Sequence, residues 1–277
     1  HRVDRRQRQM CIRDRPCIVT RGDMVVQSFN FEKYLPIGNV KTAIEFFVNW
    51  DVDEIVILDI TATKEKRSPN KDLIEWASSE CFVPLTVGGG IRNSEDIRGL
   101  LYSGADKICL NSSARNDSNL INEASNIFGS QCITVSVDVL FDGKDHRVFD
   151  YEKSRTLDIK LEDFILDIEK RGAGEIFLNS VDRDGSRKGY DIDLLKKITS
   201  LVNIPVIACG GVGNNKDFAK AVIEGNCSAV AASNIFQHTE HSTISAKAML
   251  LKDGVEVRLN GEVNYSNFEF DHMGRPY

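Results

Sequence analysis

Residues 83–113 (Val83 to Ser113) align without a gap on residues 204–234 (Ile204 to Asn234), an offset of 121 residues (204 − 83). Seven positions are identical: Pro84/Pro205, Gly89/Gly210, Gly90/Gly211, Asn93/Asn214, Asp96/Asp217, Gly104/Gly225 and Ser112/Ser233. The identities fall at turn and cap residues, where backbone geometry dictates the side chain. A duplicated half is therefore implied, and any site built by one copy has a twin in the other.

The repeat sits in a longer alternation. Short runs rich in Val, Ile and Leu occur at 17–19, 55–59, 85–87, 108–110, 134–139, 176–179, 206–208 and 229–232. Several are apolar throughout, so both faces are buried, as in a parallel sheet covered by helices. Amphipathic stretches separate them, predicted as helices over 40–49, 71–79, 94–101, 119–128, 161–170, 192–200, 216–224 and 245–251. An open doubly wound sheet is the alternative, but eight strand–helix units in 277 residues predict an α/β fold closed as a (βα)8 TIM barrel with half-barrel duplication.

Charge removes other classes. The net charge of −6 comes without a basic stripe, which argues against nucleic acid. No run approaches the length of a membrane span. The seven cysteines form no CxxC pair and read as reduced thiols of a cytoplasmic protein. His238 and His241 share a helical spacing, but no cysteine or carboxylate cluster accompanies them, so neither a metal nor any other cofactor is expected. Residues 1–15 carry six arginines and two aspartates, unlike the rest. They read as a leader foreign to the fold. The barrel is expected over 16–260, followed by a tail over 261–277 with no assigned role.

Two glycine-rich loops, Gly88-Gly89-Gly90 and Gly210-Gly211, each follow a strand and open a helix. Glycine lets a backbone approach a ligand, and a helix start offers N–H groups to an anion. Asn111 and Ser233 end the next strands and add side-chain donors. Tight turns alone would also use glycine, but duplication favours two phosphate sites facing each other across the barrel mouth, which suits a phosphorylated substrate with an anion at each end. Asp59, Asp138, Asp182 and Asp184 fall at C-terminal strand ends, the catalytic face of such barrels. Asp138 lies inside an apolar strand, where burial tunes a carboxylate for acid–base work. Asp184 and Gly185 suit a phosphate or a ribose hydroxyl, or a self-satisfied turn. Glu54, Lys107 and Glu175 precede even-numbered strands and are placed to form a charged ring at the barrel floor.

The segments EIVILDIT (54–61), TVGGGIR (86–92), GADKICLN (104–111), KRGAGEIFLNSVDRDGSRKG (170–189) and AVAASNIF (229–236) resemble the cyclase subunit of imidazole glycerol phosphate synthase, from about Pro16 to Leu259. The resemblance implies a HisH-like glutaminase partner on the N-terminal face, touching Asp106. It also implies an ammonia gate of Glu54, Lys107, Glu175 and an arginine at Arg13. The implied substrate is a two-phosphate nucleotide precursor, processed by paired aspartates on strands 1 and 5. Asp138 matches the second of these, with Asp59 beside it. Val19 stands where the first is expected, and Gln27 replaces a clamping lysine. A paralogous group with the same loss accompanies a sugar amidotransferase of surface polysaccharides. The resemblance therefore favours a barrel that accepts ammonia from its glutaminase and passes it on to amidate a sugar. The alternatives are the histidine-pathway cyclase itself and an inactive scaffold or activator of the glutaminase.

Overall fold

The computed structural model describes residues 12–237, 242–261 and 263–271; His238 and His241 lie outside them. Eight parallel strands close into a barrel: β1 (Arg13–Arg21), β2 (Ile55–Asp59), β3 (Leu85–Gly88), β4 (Lys107–Leu110), β5 (Ile133–Phe141), β6 (Glu175–Ser180), β7 (Val206–Cys209) and β8 (Ala229–Ala232). Pairing of β8 with β1 and of β5 with β6 completes the circle. The predicted (βα)8 barrel is thus the observed fold.

The helices are α1 (Val40–Asn49), α2 (Lys71–Glu80), α3 (Ser94–Tyr102), a short α4 (Ser112–Asn116), α5 (Asn119–Phe128), α6 (Leu161–Lys170), α7 (Ile192–Leu201), α8 (Lys216–Ile223) and α9 (Thr243–Lys252). Asn39, Asn70, Asn93, Asp191 and Ser242 cap their helices by accepting from a backbone N–H three residues on. Among the described residues no helix is long and apolar enough to cross a membrane.

Strand side chains alternate between two cores. Outward residues such as Ile18, Ile55, Ile57, Val135, Val137 and Ile176 pack beneath the helices. Inward residues Cys17, Val56, Phe177, Ile207, Ala229 and Ala231 fill the barrel, with Val19, Leu58 and Cys209 above them. The duplication is visible atom by atom. Asp96 accepts from the Arg92 N–H at 3.0 Å, and its repeat mate Asp217 accepts from the Gly213 N–H at 2.8 Å.

Strand β1 begins at Arg13, before the expected boundary at Pro16. Residues 13–16 pair with β8 in parallel register, and Asp14 and Arg15 are buried. Two hairpins were not anticipated. The first (Met24–Phe29 and Lys33–Asn39) extends β1, and the second (His146–Asp150 and Arg155–Lys160) extends β5. Their aromatic residues Phe31 and Phe149 meet edge to face at 6.5 Å. In the expected tail, the Tyr265 hydroxyl meets the Asp51 carboxylate.

Candidate active site

A cavity of about 410 Å³ opens at the C-terminal ends of the strands. Cys17, Val19, Leu58, Cys109, Ser136 and Phe177 line its depth. Gly89, Gly90, Asn111, Asp138, Asn179, Asp184 and Ser233 line its upper wall. Most residues singled out in the sequence therefore converge here. Gly185, Gly210 and Gly211 stand behind the wall.

Asp138 projects inward from β5 and is 5% exposed. Its Oδ2 accepts from Asn111 Nδ2 at 2.8 Å, and its Oδ1 accepts from Asn179 Nδ2 at 3.4 Å. Burial pushes the carboxyl up to about 6, against the opposing pull of Asn111, Arg115 and Asn179; nearby Asp184 adds to the rise. A group balanced there exchanges a proton near neutral pH. The same shift has a thermodynamic consequence. The folded state prefers protonated Asp138, so its contribution to stability falls as pH climbs from about 4 to about 6 and stays low above. Asp138→Asn is expected to gain about 1–3 kcal/mol over the parent at pH 8. At pH 4 the two should unfold alike, and an equal gap at both pH values in urea melts would contradict the shift.

The other carboxylates at the mouth are engaged. Asp59 binds Arg67 at 2.6 Å and accepts from the Thr61 and Ala62 N–H groups, which fixes the loop after β2. Asp184 Oδ2 accepts from Ser28 Oγ at 2.6 Å and from the Phe31 N–H at 3.4 Å. Asn30 and Phe31 both have positive φ, a strained state for Phe31, and Asp184 pins that turn above the cavity. Burial raises the Asp184 carboxyl in turn. Val19 pairs with Leu58 across β1 and β2 and presents only methyl groups to the cavity. Asp23 is exposed on the first turn, outside the cavity lining.

The glycine loops are required by their neighbours. A Cβ at Gly89 (φ 105°) would lie 2.1 Å from the Asp59 carbonyl, and one at Gly210 (φ 90°) would lie 2.6 Å from the Ser180 carbonyl. Asp59 and Ser180 are themselves 121 residues apart (180 − 59), so one steric rule operates twice. A Cβ at Gly211 would meet the Gly189 carbonyl, and one at Gly185 would meet Phe29. The buried Ser233 Oγ and Asn234 Oδ1, beside the second loop, have no hydrogen-bond partner among the described residues.

At the opposite end the ring forms. Arg15 grips Glu175 with two bonds of 2.8 and 2.9 Å and lies 3.2 Å from Glu54. Lys107 bridges Glu54 and Glu175 at 3.0 Å each. Thr86 and Thr134 donate to the same carboxylates. Burial pushes Glu175 upward, but Arg15 and Lys107 outweigh it and hold Glu175 down at about 2. The arginine of the ring is Arg15, where the resemblance pointed to Arg13. Cys17 faces the barrel interior, so the residue two before it shares that face, and Arg13 is exposed. Asp106 accepts from the Leu85 N–H at 2.8 Å at this end of the barrel.

A half-duplicated barrel with a buried carboxylate between two glycine loops, floored by a closed ring of charge, defines a class of two-ended (βα)8 barrels. The family model described as "Histidine biosynthesis protein" matches residues 15–242, and this chain belongs to that family. A Vibrio vulnificus protein, provisionally described as imidazole glycerol phosphate synthase subunit hisF2, is 58% identical over 95% of this chain and 96% of its own. The imidazole glycerol phosphate synthase subunit HisF of Dictyoglomus turgidum is 43% identical over 88% of this chain and 97% of its own. That of Hyphomonas neptunium is 41% identical over 88% and 96%. The chain is accordingly a HisF-like cyclase-subunit homologue.

Proposed function

We propose that this protein is the cyclase subunit of an imidazole glycerol phosphate synthase, working in the cytoplasm with a HisH-like glutaminase. One observation carries the reading: Asp138 stands buried in the cavity that Gly89 and Gly90 of the first loop and Ser233 at the end of β8 line, with burial raising it to about 6. The names of the relatives favour this over the sugar-amidation expectation.

In this reading Gly89 and Gly90 on one side, and Gly210, Gly211 and Ser233 on the other, seat the two phosphates of the substrate. The unpartnered Ser233 Oγ supports that role, since a buried hydroxyl without a partner is costly. Asp184 and Gly185 set the first hairpin over the bound substrate. Asp138 moves the proton, and Asp59 shapes the adjoining loop. Glutamine-derived ammonia arrives at the floor, where the partner docks beside Asp106 and the ring of Arg15, Glu54, Lys107 and Glu175 forms the gate.

Val19 favours a second reading. With a valine facing Asp138, cyclisation loses one of two proton carriers, and the barrel instead hands ammonia to a sugar amidotransferase.

The test is turnover of the synthase's bisphosphate substrate by the barrel alone with an ammonium salt, which bypasses the glutaminase. Slow conversion that depends on ammonium is expected. Substrate binding without any conversion would sink the cyclase reading and leave the amidation reading standing.

A further inference from the structure

Arg115 on α4 lies outside every role assigned so far. Its side chain is 7% exposed, although it carries a permanent charge. Its Nη1 donates to Asn111 Oδ1 at 3.1 Å, while Asn111 Nδ2 donates to Asp138. Its Nη2 donates to Asp150 Oδ1 at 2.9 Å, with Glu152 at 3.5 Å. Asp150 is 3% exposed and also accepts from the N–H groups of Glu152 and Lys153, so it is fixed by the second hairpin.

These bonds form a directed chain. An amide side chain is free to turn over and present either its oxygen or its nitrogen. A guanidinium on the Asn111 oxygen removes that freedom, because only the NH₂ remains to face Asp138. Guanidinium geometry lets one side chain hold the Asn111 oxygen and the Asp150 carboxylate together, which an ammonium does poorly. Arg115 from α4 and Asp184 from the loop after β6 act on Asp138 with opposite effects, and the other titratable groups that face it are Tyr34 and Tyr151 of the two hairpins, Cys109 of β4 and Cys209 of β7.

We propose that Arg115, locked by Asp150, is a positioning residue that fixes the Asn111 amide toward Asp138 and thereby ties the second hairpin to the carboxylate of the cavity. The chain of bonds stands on geometry; it takes from the proposed function only that Asp138 carries the proton chemistry.

The experiment reads Asp138 directly, by ¹³C NMR titration of carboxyl-labelled aspartate, with the Asp138 signal assigned through Asp138→Asn. No turnover is needed, so failure here is separable from failure of the cyclase reading. Arg115→Met is expected to raise the Asp138 midpoint by about one pH unit, a tenfold change in its dissociation constant. In an Asn111→Ala background the same substitution should move it clearly less, because the route through the amide is gone and only the direct effect of the Arg115 charge remains. An equal rise in both backgrounds would overturn the proposal, since Arg115 would then act by charge alone. So would an unmoved midpoint in folded Arg115→Met. If Arg115→Met does not fold, Asp150→Ala keeps the arginine and releases its lock. A rise in the midpoint then supports the chain of bonds, and no change refutes the lock.

Discussion

Replacing Val19 by aspartate is expected to raise ammonium-driven turnover on the order of 10²–10⁴-fold, the usual worth of one positioned proton carrier. Val19 faces the cavity from β1, across the barrel from Asp138 on β5. An aspartate there restores a pair of carboxylates on opposite walls of the cavity that Gly89, Gly90 and Ser233 also line. The gain must vanish when Asp138→Asn is added, because the pair acts as a unit. A parent protein that already turns over fast, with no gain from the aspartate, would show that another group performs the step. Asp184 is then the residue to examine, as it lines the same cavity and burial raises its carboxyl.

Removing Glu54 is expected to cost about 3–5 kcal/mol, the scale for breaking a buried ion pair from one side. Glu54 is fully buried and holds Lys107, Arg15 and Thr86. In Glu54→Ala, two cations and one hydroxyl compete for Glu175 alone. Urea melts of the two proteins measure the difference. A loss below about 1 kcal/mol, the level of an exposed pair, would mean that water enters the floor and that the ring is open in solution.

The fold was legible because several of the barrel strands are apolar on both faces and because the same glycines and caps recur in both halves. Asp138 stood out as a carboxylate in an otherwise apolar strand. Asn111 was legible only as a polar residue ending a strand, which suggested a phosphate donor; the structure gives its NH₂ to Asp138. Arg115 and Asp150 left no mark, since residues 35 positions apart on a short helix and a hairpin share no periodicity. The hairpins were hidden because their outer strands are largely exposed, so their side chains follow no buried-face alternation. Arg15 was missed for a different cause. The composition of residues 1–15 differs from the rest of the chain and masks it, although counting back two residues from Cys17 reaches Arg15 on the inner face.

The wall between floor and cavity has one further effect. Above the ring, the barrel is filled by Cys17, Val56, Phe177, Ile207, Ala229 and Ala231, with Ser136 the polar side chain beside Phe177. An ammonium ion entering it would shed its hydration for nothing, at a cost far beyond thermal energy. Neutral ammonia loses much less. In the proposed reading the barrel interior would therefore sort nitrogen by charge: ammonia passing from floor to mouth would leave its extra proton behind and reach Asp138 with its lone pair free, so the apolar packing that holds the fold together would also set the protonation state of what it admits.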